Sequence, residues 1–256
     1  MNNGTKIGLL LGTIALSTSA FGEDIRVRPY ASLGYQMYEL TATQGNQEFR
    51  PTESDYVSLG GGISVSNGPI YADINITTSL SAEWEEPGDS GDLERDDLSL
   101  AVGYQIEGGY SVFGGYKTGT TDMSQIEVNS NPIGTASFEA DGVFFGGGYG
   151  QAIDDSLQFG VSLAVAVLDG EWKFGDGTTN LVYDSDTTVG VSFGGSLTKL
   201  LSDNLSLTGF VKFQSYSFSD GNVKVNGVDV SNTDAFRDYE VDEDLTSFGV
   251  SLNMHL

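Results

Sequence analysis

The residues of this chain that could do chemistry are mostly carboxylates. Its 256 residues include 36 Asp and Glu, 11 Lys and Arg, one histidine and no cysteine, which gives a formal charge of −25. Without cysteine there are no disulfides, cysteine-based zinc sites or thiol nucleophiles. The histidine, His255, is the penultimate residue, so a Ser-His or Asp-His catalytic pair would have to form at the C-terminus. We therefore expect no enzymatic activity.

Three groups of acids are candidates for binding Ca²⁺ or Mg²⁺, because carboxylate oxygens suit hard cations. These groups are Asp89 with Asp92, Asp184 with Asp186, and Asp242 with Glu243 and Asp244. None has the spacing of an EF-hand loop. The alternative, solvated acidic loops that hold divalent cations only weakly, is therefore favoured. No other cofactor is predicted, and the clustered negative charge disfavours nucleic acid as a partner.

The elements that carry these acids are predicted to be strands. Residues 70–84 alternate without interruption, with Ile, Ala, Thr, Leu or Trp at even positions and Tyr or polar residues at odd positions. Such a segment exceeds the usual soluble strand of about 5–6 residues and suits a tilted strand that crosses a bilayer. The same period predicts ten strands, at 29–40, 56–66, 70–84, 98–106, 110–119, 142–151, 157–168, 187–198, 205–218 and 246–256.

The connections between these strands alternate in length. Short ones rich in turn-forming residues lie at 67–69, 107–109, 152–156 and 200–204. Long ones lie near 41–55, 85–97, 120–141, 169–186 and 219–244, and they carry 27 of the 36 acids. Backbone groups in lipid must all be paired, so such a sheet has to close on itself. The sequence therefore predicts an all-β, ten-stranded, antiparallel up-and-down transmembrane β-barrel, with short periplasmic turns and long extracellular loops.

Closure of the barrel requires the last strand, 246–256, to pair with the first, 29–40. A secreted β-sandwich is the alternative fold, since alternation and glycine-rich turns suit it too. The long strands and the regular short and long connections favour the barrel. Outward aromatic residues near the strand ends predict two belts at the membrane boundaries: Tyr35, Trp84, Tyr104, Tyr110, Tyr116 and Tyr149.

The first 22 residues have the layout of a secretory signal peptide. Lys6 precedes an apolar run from Ile7 to Leu16, and small residues follow. This run is shorter than the roughly 20 residues of a membrane-spanning helix, and no amphipathic period supports a buried N-terminal helix. Cleavage fits after Ala20 or after Gly22. With cleavage at the second position, the barrel would comprise residues 23–256.

Together these features resemble the small outer-membrane β-barrel proteins of Gram-negative bacteria. The C-terminal insertion signal of that family runs polar-x-Gly-x-x-apolar-x-apolar, and Ser247, Gly249, Leu252 and Met254 match it. The family usually ends in Phe, whereas here Leu256 ends the apolar series. The resemblance implies location in the cell outer membrane, with outer-membrane lipid, lipopolysaccharide and the barrel-insertion machinery as partners. It does not identify a subfamily, an oligomeric state or a function.

The lumen is the second surface on which the chain could act. Its predicted lining is mostly Gly and Ser, narrowed by Tyr71, Phe113, Phe144 and Phe210. We predict two layers of paired opposite charges there, because unpaired confined charges are costly. Arg28 and Asp73 form the periplasmic layer, and Glu39, Lys117 and Lys212 form the outer one.

Two functions follow from these features. The first is a non-enzymatic barrel whose acidic loops meet ions, a partner or a surface, because binding residues concentrate on loops held by rigid scaffolds. The alternative is a narrow, cation-preferring pore for small solutes, supported by the small polar lining and the acidic mouth.

Overall fold

The computed structural model describes residues 25–44, 47–48, 52–80, 82–86, 89–128, 131–219, 221–231 and 239–256. Ten long strands dominate these residues, and each pairs antiparallel with its neighbours. No described helix is long and apolar enough to cross a membrane. The strands are β1 (Ile25–Gln44), β2 (Thr52–Asn67), β3 (Ile70–Ser79), β4 (Asp89–Gln105), β5 (Tyr110–Val128), β6 (Asn131–Ala152), β7 (Leu157–Gly175), β8 (Asn180–Ser202), β9 (Leu205–Phe218) and β10 (Tyr239–Met254).

The sheet closes into a barrel because β10 pairs with both β9 and β1. In the closing pair, Tyr35 lies opposite Phe248. Pairing continues past the last strand: the His255 N–H donates to Asn204 O at 2.9 Å, and the Leu256 N–H donates to Val27 O at 3.1 Å. The predicted ten-stranded antiparallel barrel and its seam are confirmed.

The two ends of the barrel differ in their connections. One end of the barrel carries both described termini and the turns 67–70, 105–110, 152–157 and 202–205. We call it the turn end. The opposite end is the loop end. Glycine is required in two of the turns, because Gly68, Gly108 and Gly109 adopt φ angles of 58°, 85° and 87°.

At the loop end, the predicted long loops are largely strand instead. β5 ends at Val128 and β6 begins at Asn131, while β7 ends at Gly175 and β8 begins at Asn180. β6 and β8 thereby reach 22 and 23 residues. Short segments extend the sheet further at this end: Gln47–Glu48 on β1, Ala82–Glu86 on β4, Asn222–Val225 on β8, and Val228–Asp229 on Asn222–Val225. Most of the acids predicted in loops therefore lie on strands.

The outward face of each strand changes character along its length. Toward the turn end it is apolar and exposed, as at Val102 (60%) and Leu163 (59%). Toward the loop end the same parity carries acids, such as Glu94 and Asp96 on β4. The inward face changes in the opposite sense: Ser and Gly line the turn-end half, whereas a buried apolar core fills the loop-end half. That core includes Leu40, Leu93, Met123, Phe138, Leu168, Tyr183, Phe218, Val241 and Leu245.

In the turn-end half, inward aromatic rings lie flat over glycines on the neighbouring strand. Phe113 faces Gly146 across the β5–β6 pair, and a Cβ added at Gly146 would lie 2.5 Å from the ring. Phe144 covers Gly115 in the same pair. Tyr30 over Gly62, Tyr71 over Gly103 and Phe210 over Gly249 repeat the arrangement. The predicted inward aromatics therefore lie against the wall rather than across the bore.

The predicted outward parity of the five belt tyrosines is confirmed. Tyr35, Tyr104, Tyr110 and Tyr116 are exposed, and Tyr149 is partly exposed beside Tyr110. Two hydroxyls on the loop-end side donate to outward acids, Tyr35 to Asp55 at 2.9 Å and Tyr116 to Asp141 at 2.5 Å. The Trp84 side chain lies outside the described part of the structure, as do the predicted signal peptide and its cleavage sites.

Candidate functional site in the lumen

The centre of the lumen is closed by a buried ionic cluster around Arg95. Its side chain is 2% exposed, and its Nη1 donates to Glu243 Oε1 at 2.6 Å. Nε and Nη2 donate to the two Asp97 carboxylate oxygens at 3.0 and 2.9 Å, and Nη1 also donates to Thr121 Oγ1 at 2.8 Å. The guanidinium carbon lies 5.1 Å from the Tyr38 ring centroid. We call these five residues the plug.

The plug spans the barrel rather than following its wall. Arg95 lies on β4 and Glu243 on β10, with β1, β2 and β3 between them along the sheet. Arg95 faces inward because it shares the parity of the buried Leu93. Burying a guanidinium is costly unless it is paired and hydrogen-bonded, and here two carboxylates and a hydroxyl satisfy it. The plug and the apolar core next to it block the loop-end half of the lumen.

Arg95 is not among the site residues predicted from the sequence. It lies in the segment 85–97, which the sequence predicts to be an acidic loop because neighbouring Glu94 and Asp96 hide the alternation. The alternation of Leu93, Arg95 and Asp97 with outward acids was the signal that could have revealed it.

On the turn-end side of the plug lies a cavity of about 390 Å³, which we call the chamber. Lys117 and Lys212 face it. Lys117 Nζ donates to the Tyr216 hydroxyl at 2.9 Å and lies 4.3 Å from that ring's centroid. Gln214 Nε2 donates to the same hydroxyl at 2.5 Å. The structure thus brings the two predicted lysines into one cavity.

The chamber adjoins a second cavity of about 690 Å³, which we call the vestibule. The vestibule runs from turn residues Ile106 and Gly109 to Lys212, and the two cavities share Phe113, Ser162, Phe210 and Lys212 in their lining. Together they form a space that is open toward the turn end and closed by the plug.

The remaining predicted members of the charged layers, Glu39, Asp73 and Arg28, form no direct ion pairs among the described residues. Glu39 shares the outward parity of Tyr35 and Met37 and is exposed, so it lies outside the lumen. Asp73 faces inward, but it accepts a hydrogen bond from the Tyr30 hydroxyl at 3.1 Å. Within the described residues no ion pair joins Asp73 to Arg28. Arg28 lies near enough to act on Asp73 electrostatically, but the direct partner of the Asp73 carboxylate is the Tyr30 hydroxyl.

The acidic metal candidates do not converge in the described structure. Asp242 and Asp244 face outward, whereas Glu243 faces inward to Arg95, because successive strand residues point to opposite faces. Asp92 accepts a hydrogen bond from Gln125. Asp184 is exposed on β8. The side chains of Asp89 and Asp186 lie outside the described part, and among described residues no group of three potential ligands is positioned to hold a metal.

His255 lies at the turn end, where its Nε2 is 3.0 Å from Ser206 Oγ. The Ser206 side chain is buried, at 1% exposure. A nucleophile in that position would lack access to a substrate.

The insertion-signal residues Ser247, Gly249, Leu252 and Met254 all lie on β10, with Leu252 and Met254 exposed outward, and Leu256 follows at the seam.

Comparison with solved structures places this architecture in a known class. The outer membrane protease OmpT from Escherichia coli aligns with a TM-score of 0.61 at 10% identity, over 94% of this chain and all of that one. The translocator domain of the autotransporter NalP from Neisseria meningitidis (TM-score 0.43, 13% identity, 90% and 89% coverage) and Neisserial surface protein A (0.36, 10%, 89% and 96%) are more distant. No protein-family model and no curated protein sequence matches the chain.

The chain has the fold of the outer-membrane β-barrel proteins. The identity to OmpT is too low to carry more than the fold.

Proposed function

We propose that the protein is an integral outer-membrane barrel without enzymatic activity, which displays a wall and loops rich in carboxylates at the cell surface. The observation that carries this proposal is the change along the outward face, from apolar side chains to acids. An apolar band about 25 Å tall suits the hydrocarbon core, and charged outward residues suit water. In this orientation the turn end lies in the periplasm and the loop end outside the cell.

The acidic wall contains carboxylates directly opposite one another. Glu39 lies opposite both Glu53 and Asp244, which makes a row of three acids across β2, β1 and β10. Glu171 lies opposite both Glu139 and Asp184, which makes a second row across β6, β7 and β8. Like charges opposite one another destabilise a sheet. Lys173 pairs with Glu171 in the second row, whereas among the described residues no ion pair involves the first row. Cations or a basic partner would relieve the repulsion there, and this supports an interaction function for the wall.

The plug favours this function over the pore alternative. Solute moving between the two ends would have to displace Arg95 from two carboxylates and then pass the apolar core. The burial of Ser206 beside His255 likewise favours a non-enzymatic function.

Cysteine labelling in intact cells tests the orientation, because the chain has no native cysteine. Val228→Cys lies at the exposed loop end, and Asp155→Cys lies in an exposed turn. A membrane-impermeant maleimide should label the first variant in intact cells, and the second only after permeabilisation. Labelling of Asp155→Cys in intact cells with Val228→Cys protected would overturn the proposed display.

Planar bilayer recording tests the closed lumen. Folded wild-type protein, verified by heat-dependent mobility on gels, should give no steady conductance. Cation-selective steps that weaken when Asp97 is replaced by Asn would establish the pore function instead.

A further inference from the structure

We propose that the chamber is a binding site for a small organic anion with an aromatic or aliphatic body, which enters from the turn end. This inference goes beyond the surface function proposed above. It rests on three observations: an unbalanced positive charge, an apolar wall and a cavity with one open end.

The charges that face the chamber and the plug do not balance. Arg95, Lys117 and Lys212 are cationic, whereas Asp97 and Glu243 are the anions. Both carboxylates are bonded to Arg95. An excess of one positive charge thus remains, inside a chain whose formal charge is −25.

That excess is concentrated at the two lysines. The hydrogen bond of Lys117 goes to a neutral phenol, that of Tyr216. Lys212 has no hydrogen bond or ion pair to any residue that the structure describes. Among the described residues, Asp73 is the other inward acid on this side of the plug, but it is bonded to Tyr30 and lines neither cavity. An ammonium group is a compact point charge that readily receives a carboxylate or sulfonate.

The body of the ligand is defined by the remaining lining. Phe113 and Phe144 are 6.2 Å apart between ring centroids and meet edge to face. Phe210 completes this apolar side, and serine hydroxyls such as Ser99 and Ser192 line the rest. Because the rings lie over glycines, they leave free volume beside the lysines instead of filling it.

The dimensions agree with a ligand site. Small-molecule pockets usually enclose about 300–1,000 Å³, with mostly apolar walls and few polar groups. The chamber measures about 390 Å³ and the vestibule about 690 Å³. The plug closes the far side, so a ligand reaches Lys212 through the vestibule.

The test uses 2-naphthoate as an anionic probe and 2-naphthamide as its neutral counterpart. Binding to the full chain in lipid nanodiscs is measured by saturation-transfer NMR and titration calorimetry, with empty nanodiscs as the blank. We expect naphthoate to bind at least tenfold more tightly than the amide. Lys212→Met should weaken naphthoate binding at least tenfold and so abolish its preference over the amide. Lys212→Arg should largely preserve that preference.

Lys199→Met is the matched control, because Lys199 donates to Ser156 at the turn end and lines neither cavity. It should leave naphthoate affinity unchanged. Equal binding of the two probes, absence of naphthoate binding to folded wild type, or undiminished binding by folded Lys212→Met would overturn the inference. If Lys212→Met does not fold, the comparison of the two probes on wild type decides alone.

Discussion

In the turn-end half of this barrel the outward face of each strand is apolar, whereas in the loop-end half the inward face of the same strand is apolar. On β7, Val161, Leu163 and Val165 face outward in the first half, and Leu168 faces inward in the second, followed by outward Glu171. The turn-end half is apolar outside, as lipid requires, and encloses the chamber inside. The loop-end half is acidic outside with a packed core inside, like a barrel in water. The surrounding solvent, rather than the backbone, therefore decides which face of a strand is apolar.

The largest expected effect concerns the centre of the loop-end half. Arg95→Ala would leave Glu243, which is 1% exposed, without its partner, and would also remove the partner of Asp97, whose side chain is 25% exposed. Breaking a buried ion pair typically costs about 3–5 kcal/mol. Thermal unfolding, followed by circular dichroism and gel mobility, should shift to markedly lower temperature. Arg26→Ala, at an exposed turn-end position, is the control and should change little. An unchanged unfolding temperature for Arg95→Ala would mean that the loop-end core does not depend on the plug.

One strand allows the two outer surfaces to be compared directly. Val102 and Glu94 share the outward parity of β4. Val102→Lys places a charge in the apolar band and should cost about 2–4 kcal/mol. Glu94→Lys places the same charge opposite Asp122 and should instead stabilise by about 0.2–1 kcal/mol. Urea unfolding in lipid vesicles measures both, and equal effects would refute the contrast between the halves.

A smaller effect is expected where rings cover glycines in the turn-end half. Gly146→Ala places a Cβ 2.5 Å from both the Phe113 ring and the Leu163 carbonyl oxygen, so the ring and the neighbouring backbone of β7 must shift, at a cost of about 1–3 kcal/mol. Gly209→Ala is the matched control, since no atom lies within 4 Å of an added Cβ there. The same urea assay should show a loss only for Gly146→Ala. Equal losses at both positions would indicate a general strand effect.

The smallest expected effect is local and depends on pH. At the loop-end hairpin between β7 and β8, the Thr179 and Thr178 N–H groups and the Thr178 hydroxyl lower the pKa of Asp176 to about 2. Because its pKa is lowered, the ionised Asp176 carboxylate stabilises the hairpin at pH values above the ordinary carboxyl pKa of about 4. This contribution disappears as pH falls from about 4 to about 2. The protection factor of the Thr179 amide, measured relative to intrinsic exchange at each pH, should then fall, whereas Asp176→Asn should show no such transition. Constant protection across that range would contradict the assignment.

Much of the turn-end half could be predicted from the sequence. Apolar and polar residues alternate there without exception in segments such as 70–76, so the strands, turns and seam followed from the period alone. The loop-end half could not be predicted in this way, because its outward residues are acids and its inward residues are apolar, which reverses the pattern of the turn-end half. Segments such as 92–97 then look like acidic loop. The prediction that Glu39 lies in the lumen is wrong, because its odd number gives it the outward parity of Met37.

The contacts within the lumen were predictable only in part. The parity of the strands correctly predicted that Lys117 and Lys212 face inward, and both line the chamber. The partner of Arg95 lies 148 residues away in sequence. No local pattern encodes such a contact, because it depends on the closed circumference of the sheet. The bond between Tyr30 and Asp73, which are 43 residues apart, depends instead on the register of the consecutive strands β1, β2 and β3.

The bond between Arg95 and Glu243 also has a mechanical consequence. Hydrogen bonds between neighbouring strands fix the perimeter of a hollow tube but leave it free to flatten into an ellipse. A tie between β4 and β10 crosses the interior and holds one diameter at the level of the plug. A second tie crosses at the edge of the chamber, where Lys117 on β5 donates to the Tyr216 hydroxyl on β9. Nearer the turn end, the side-chain hydrogen bonds among the described residues join only nearby strands. Lateral pressure from the bilayer should therefore deform the turn-end rim more than the levels at which these two ties cross.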